Sequence, residues 1–402
     1  MSNKPGFKHT PLGWLPLDWE VKKLGELGKV VSGLTYDPSQ INGEGVLVLR
    51  SSNIKNRRLE FSDNVFVKVS EGEYNPVQQG DILICVRNGS RDLIGKNALI
   101  TDKAKGLAFG AFMAIFRSDC NPFLYHVFDT DIYLKEIHKN LGATINSING
   151  SDFKLFKVPF PPKKERERIT AILSSFDEAI TTTQKLYEHL KQRNKGLMQQ
   201  LLSGKKRLKG FNKPWKGIHL SDAFKERNET GFINLDLLSV GSLGVYPQSQ
   251  SEKRDTSNSD KAKYKRIYPG DIGYNTMRMW QGRSALSSLE GIVSPAYTIV
   301  TPKERQHSEF YAYLFKLPSV VNKFFRNSQG LVEDTLNCKF KDFAIVKVEV
   351  PEYEEQVAIA NVLSTAQAEI KYYEQKLNAL QQQKKGLMQK LLTGEIRVKI
   401  EE

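Results

Sequence analysis

Lys195–Gly204 reads KGLMQQLLSG, and Lys385–Gly394 reads KGLMQKLLTG. The strings lie 190 residues apart (385 − 195) and extend backwards at that offset without a gap. Pro161 falls on Pro351, Ile169 on Ile359, Leu173 on Leu363, Ile180 on Ile370 and Leu190 on Leu380. Forwards, Arg207 and Lys209 fall on Arg397 and Lys399. A period this long lies far outside that of solenoid repeats. It describes one unit used twice: a variable globular part, then a long helix.

The helix follows from what precedes each string. Pro161 and Pro162 block a helix before them and permit one after them. From Lys163 to about Ser203 only Gly196 interrupts the helical pattern. Leu173, Ile180, Tyr187, Asn194 and Leu201 fall at heptad position a, with Leu190 and Leu197 at d. The second helix, opened by Pro351, places Leu363, Ile370, Leu377, Lys384 and Leu391 at a, with Leu380 and Leu387 at d. A seam sustained for about five heptads predicts a coiled-coil partner rather than a globular core. About 40 residues at 1.5 Å each give a rod of roughly 60 Å. Each seam complements the other, and a globular part at the head of each helix favours an antiparallel pair. Polar Asn194 and Lys384 at equivalent a positions predict a fixed register at some cost in stability.

The globular parts share one plan. In the first, GVLVLR (Gly45–Arg50), NVFVKV (Asn64–Val69), GDILICV (Gly80–Val86), NALIT (Asn97–Thr101) and AFMAIF (Ala111–Phe116) predict strands, and Phe123–Leu141 a single helix. In the second, GDIGYNT lies 190 residues after GDILICV, PAYTIVT matches AFMAIF in kind, and Glu309–Phe325 is the single helix. A polar loop follows the helix in both. The expected fold class is α+β, with two similar globular domains separated by two long helices in a pseudo-twofold internal repeat. The expected segments are 1–162, 163–209, 210–350 and 351–402.

The formal net charge of +14 over 402 residues points to a polyanionic partner. By segment it is +3, +7, +5 and −1, so the first long helix and the second globular part carry most of it. No run reaches the ~18 apolar residues of a membrane span, and MSNKPGFKHT at the N-terminus has no apolar signal core. Cys85, Cys120 and Cys338 form no CxxC pair and read as reduced, mostly buried thiols. The expected location is cytoplasmic, without a membrane.

Catalytic chemistry has little support. No G-x-G-x-x-G follows a strand. Gly89–Asn97 departs from a phosphate loop in spacing and lacks the Ser or Thr that holds magnesium. The six histidines form no ligand pair, so no metal site is expected. Asn121-Pro122-Phe123 lacks the second proline of an amino-group methyltransferase motif.

Binding chemistry is present in both parts. Arg50, Ser52, Asn53 and Arg57 follow one strand of the first, and Arg87, Asn88, Arg91 and Lys96 follow the next. Ser239 and Ser242 occupy the first place in the second part, and Arg278, Trp280, Gln281 and Arg283 the second place. Arginine reads guanine with two hydrogen bonds and Asn or Gln reads adenine, while nearby cations hold phosphates. The same places are loaded in both parts, with different residues each time.

The chain resembles the specificity subunit of type I restriction–modification enzymes. The resemblance is carried by W-x-x-x-x-L at Trp19–Leu24 and Trp215–Leu220, by G-D-I at 80 and 270, and by the helix entries at Pro161 and Pro351. The doubled helix end completes it. It implies two target recognition domains, each reading half of a split double-stranded DNA sequence, and an antiparallel coiled coil setting the gap. It also implies that this chain is not itself an enzyme and binds no cofactor. Two methyltransferase subunits would supply S-adenosylmethionine, and motor–nuclease subunits would use ATP and Mg. The doubled strings, with the seam residues above, are then expected to space the lobes and dock the methyltransferases. The basic Lys205, Lys206 and Arg207 after the first string have no full counterpart after the second. The competing expectation is a coiled-coil protein scaffold without sequence-specific DNA binding.

Overall fold

The computed structural model describes residues 4–70, 72–141, 146–241, 244–251, 260–332 and 335–399. The fold is α+β. The long helices run Lys163–Leu201 and Tyr353–Leu391, 39 residues each, and both begin two residues after the aligned prolines Pro161 and Pro351. The chain forms two compact units, Met1–Thr183 with Lys376–Glu402, and Gln184–Gln375. The division passes through both helices rather than along the segment limits read from sequence. Ile169 and Leu173 of the first helix and Met388, Leu391 and Leu392 at the end of the second help close the first unit's core.

The first unit is built on an antiparallel sheet in the order Asn97–Leu99, Ile82–Cys85, Met113–Arg117, Lys29–Ser32. Ile82–Cys85 is buried at all four residues, as expected of a strand covered on both faces. Ile82, Ile84 and Phe116 face the lobe helices, Trp19 and the long-helix residues. Leu83, Cys85, Ala98 and Ile115 face a second core with Leu49 and Phe109. The period-2 alternation of strand side chains therefore feeds two cores from one sheet.

The second unit has its own four-stranded antiparallel sheet, in the order Ser284–Leu286, Ile272–Asn275, Tyr297–Pro302, Phe224–Arg227. Ile272, Tyr274 and Val300 pack against the helices, and Ala285 and Ile299 against the other side.

Each helix expected to be single is broken in two. The first lobe has Asn121–Val127 and Asp131–Asn140, the second Ser308–Leu314 and Pro318–Asn327. Thr130 takes an extended backbone, and its hydroxyl donates to the Val127 carbonyl at 2.7 Å, ending one helix and opening the next. In the second lobe Pro318 takes the first helical position, where its missing N–H costs nothing. The breaks let Phe128 and Phe315 enter their cores.

The G-D-I strings are structural. Gly80 and Gly270 have φ of +87° and +91°, which a side chain would strain. Buried Asp81 receives two hydrogen bonds from Arg117, at 2.9 and 2.8 Å, and one from the Gln78 amide. Buried Asp271 is held by Arg227, the Thr301 hydroxyl and the Tyr268 amide, each within 2.9 Å. In both lobes the motif joins a turn to the outermost strand pair. Among the described residues no helix is long and apolar enough to cross a membrane.

Candidate nucleic-acid interface

In the first lobe the residues expected to read bases divide into two groups. Asn53 is fully buried. It accepts from the Arg50 amide at 2.9 Å and donates to the carbonyls of Glu60 and Asp63 at 3.1 and 3.0 Å, so its amide is spent on its own turn. Arg57 also turns inward, from a left-handed backbone (φ +60°). Its guanidinium lies 4.2 Å from the Tyr125 ring centroid, donates to the Phe128 carbonyl at 2.8 Å and pairs with Asp129 at 3.5 Å. Both are corrected from base-reading to structural roles, because every strong polar group they carry is satisfied inside the protein. Arg50 is half-buried and pairs with Asp63 at 3.1 Å, while Ser52 is exposed.

The second cluster lies against the first. Asn88 donates to the Ser51 hydroxyl at 3.2 Å, and Lys96 to the Ser51 carbonyl at 3.0 Å. Arg87 and Arg91 are exposed beside them. A third stretch, which sequence reasoning noted only as a polar loop, joins the two. Arg87 bridges Ser147, and the Asn146 side chain donates to the Gly89 carbonyl at 3.0 Å. The available signal was position: this stretch links the helix Asp131–Asn140 to the short helix Gly150–Lys154.

In the second lobe Ser239 is half-buried and bonds to Gln248, and Ser242 lies outside the described residues. The other cluster is well formed. Met279, fully buried, anchors the turn Met279–Gln281, and Gly282 ends it at φ +72°. Trp280 packs on Phe325 with 6.0 Å between ring centroids, and its indole N–H donates to the Met277 carbonyl at 3.0 Å. It braces the loop. Arg278 is half-buried, and Gln281 and Arg283 are exposed. The polar loop after the last helix again comes alongside. The Cys338 amide donates to the Thr276 carbonyl at 2.8 Å, and Gln329 pairs with Asn337. Exposed Gln329 is thus added to the candidate surface.

The seam residues sit as follows. Leu173, Leu201, Leu363 and Leu391 are buried almost completely, Ile370, Leu377, Asn194 and Lys384 nearly so, and Ile180, Tyr187, Leu197 and Leu387 are half-buried. The apolar side of each doubled string is used within the chain. Leu201 and Leu202 enter the core of the second lobe, and Leu391 and Leu392 that of the first. Docking a partner through those leucines is corrected: they have no free surface to offer. What stays exposed on the strings is polar and matched, Lys195 with Lys385, Gln199 with Gln389, Gln200 with Lys390.

The end of each string explains its glycine. Gly204 and Gly394 have φ of +67° and +68°, the left-handed backbone that stops a helix. The chain then turns an arginine onto a buried glutamate at the head of the opposite helix. Arg207 binds Glu355 in a two-pronged pair at 2.7 and 2.6 Å, and Arg397 binds Glu165 at 2.7 and 2.8 Å. Glu165 also receives the Trp19 indole N–H at 2.9 Å, and Arg397 reaches Asp18. The hydrogen bonds that Arg397 donates, to Glu165 foremost and then to Asp18, raise its pKa further. The basic excess after the first string does not separate the two ends, because the arginines that matter are equivalent. Among the described residues no group of acidic, histidine or cysteine side chains is arranged to hold a metal.

Relatives agree with this architecture. A family model for the type I restriction modification DNA specificity domain matches residues 16–192. A Methanocaldococcus jannaschii chain designated the MjaX type I restriction enzyme specificity subunit is 26% identical over 432 aligned positions, spanning 98% of this chain and 97% of that one. The EcoKI specificity subunit of Escherichia coli is 27% identical over 201 residues, 48% of this chain and 43% of that one. The solved S subunit of a type I restriction–modification system from M. genitalium shares the fold, with a TM-score of 0.61 at 15% identity over 93% of this chain and 96% of that one. The chain is thus similar to the specificity subunits of type I restriction–modification systems, over residues 16–192 by the family model and over nearly its whole length by the MjaX subunit.

Proposed function

We propose that this chain is the DNA-reading subunit of its restriction–modification complex and performs no catalysis itself. Each lobe reads one half of a bipartite duplex target. The two long helices pair as an antiparallel coiled coil that sets the gap between the halves. Two methyltransferase subunits dock on the chain, the matched polar faces of the doubled strings being the proposed contact. They bring S-adenosylmethionine, and motor–nuclease subunits with ATP and Mg join them.

The observation that carries this reading is the convergence of loops in each lobe. A loop at the end of the same central strand and the polar loop after the last helix meet in both, and each displays its own exposed set: Arg87 and Arg91 in one, Gln281, Arg283 and Gln329 in the other. Repeated scaffolding with different exposed hydrogen-bonding groups is what reading two different sequences requires.

The test begins with the adenine methylation pattern of the host genome, which yields a candidate motif and gap. The full-length chain is then titrated with duplexes carrying that motif, with either half scrambled, or with both scrambled. Loss of affinity on scrambling each half is expected, with the cost of one mismatch near 1–3 kcal/mol. Equal affinity for all four duplexes would return the chain to a protein-only scaffold.

A further inference from the structure

A charged cluster away from the candidate interface ties the first lobe to both long helices. Lys384 is 9% exposed. Its ammonium lies 2.8 Å from Asp177 on the first long helix and 3.8 Å from Asp129 in the lobe. Asp177 faces buried His126, whose Nδ1 is 3.7 Å away and whose Nε2 is 3.3 Å from the Ser174 hydroxyl. Arg58 donates to the Asp177 carbonyl at 3.3 Å and to the Thr181 hydroxyl, while Arg57 pairs with Asp129. Two arginines of one lobe loop, a lobe helix and both long helices therefore share one cluster.

The equivalent pair in the second unit is neutral, with the more exposed Arg193–Glu369 ion pair beside it. Subtracting 190 from 384 gives Asn194, and adding 190 to 177 gives Gln367. The Asn194 amide donates to Gln367 at 3.2 Å. The two pairs differ in what a slip costs. A neutral amide that loses its partner forfeits a modest hydrogen bond. The buried Lys384 ammonium, once it loses its partners, keeps its charge where solvation is poor, although the aspartates themselves are about a third exposed. A slip of one residue moves Lys384 by about 1.5 Å along the helix and turns it by about 100°. That separates it from both aspartates.

We propose that the Asp177–Lys384 pair, backed by Asp129 and His126, pins the register of the helix pair and the seat of the first lobe upon it. It thereby sets how stringently the gap between half-sites is read. Leucines in the seam stabilise the pair but accept several registers, whereas the charged pair accepts one. These are positioning residues, and the proposal rests on the DNA-reading function above.

The test uses the full-length chain and duplexes with the methylation-mapped half-sites at the native gap, one base pair shorter and one longer. Wild-type binding should weaken about tenfold off the native gap, as for a single mismatch. Asp177→Gln/Lys384→Asn, which transplants the second unit's amide pair, should reduce that penalty to about threefold or less with half-site preference intact. Lys384→Arg, which keeps the charge, should retain the wild-type profile. If the double variant folds poorly, Asp129→Asn carries the same test with a smaller widening. An off-gap penalty unchanged in Asp177→Gln/Lys384→Asn, or in its place Asp129→Asn, overturns the proposal, as does equal widening in Lys384→Arg. A wild-type chain indifferent to the gap would instead overturn the spacing function itself, and this proposal with it.

Discussion

Asn53 and Gln281 carry the same amide, and only burial separates their roles. Asn53 has each of its hydrogen-bonding atoms paired inside a turn, whereas Gln281 stands in solvent between a buried methionine and a left-handed glycine. Asn53→Ala is therefore expected to destabilise the fold by about 1–3 kcal/mol in urea unfolding while leaving base preference unchanged. Gln281→Ala should leave stability alone and relax one position of one half-site by about 1–3 kcal/mol in a selection from randomised duplexes. The reverse pattern would exchange their assignments. His126 makes a pH prediction. Burial, helped by the Lys384 charge, holds its imidazole at about 4, against 6.5 when unperturbed. As pH falls, the unfolded chain takes up this proton first. The contribution to stability is thus complete above pH 6.5, declines between 6.5 and about 4, and is lost below, a change on the order of 3 kcal/mol. His126→Gln should flatten this part of the profile, and an identical pH slope in both proteins would count against the assignment.

At the scale of elements, the most informative feature is the arginine after each long helix. Arg207 and Arg397 are 190 residues apart, as are Glu355 and Glu165, and each arginine grips the glutamate at the head of the opposite helix. The repeat was visible in the sequence, but the exchange of partners was not, because an offset aligns equivalent residues without saying which copy they touch. Arg207→Met leaves Glu355 buried and unpaired. A loss of about 2–4 kcal/mol is expected, below the upper range because the guanidinium is partly solvated. Arg207→Met/Glu355→Met should recover most of it in a double-mutant cycle, and additive losses would show that the pair is not coupled. The broken lobe helices teach the complementary lesson. Their apolar periodicity continues through Phe128 and Phe315, so the pattern predicts one helix where a Thr130 turn or Pro318 makes two.

At the scale of the molecule, each compact unit takes part of both long helices, so lobe and helix are not separable modules. Under the proposed function the helices act as a ruler. Removing seven residues at aligned places, 182–188 and 372–378, keeps the seam in phase and shortens each helix by about 10 Å. The preferred gap should shift by roughly three base pairs, given 3.4 Å per base pair, with half-site preference kept. The gap is read by titrating the variant against a series of spacings. A preferred gap that stays in place at full affinity would remove the helices from the measurement.

The sequence by itself determined the duplicated plan, the two long helices and their seams, and the places of the loops, because periodicity, proline stops and repeat offset are local or one-dimensional signals. It also carried the family likeness through Trp19, Trp215 and the doubled strings. Only the tertiary structure decided which polar residues are free. Asn53 and Arg57 have the composition of a DNA-reading surface but are consumed by contacts to chain up to 71 residues away. The doubled strings, whose likeness implied a shared outer surface, spend their leucines on the cores of the lobes, and the arginines three residues beyond them pair with glutamates in the other copy's helix. Burial and long-range pairing depend on what the fold brings near, and no spacing along the chain contains that information.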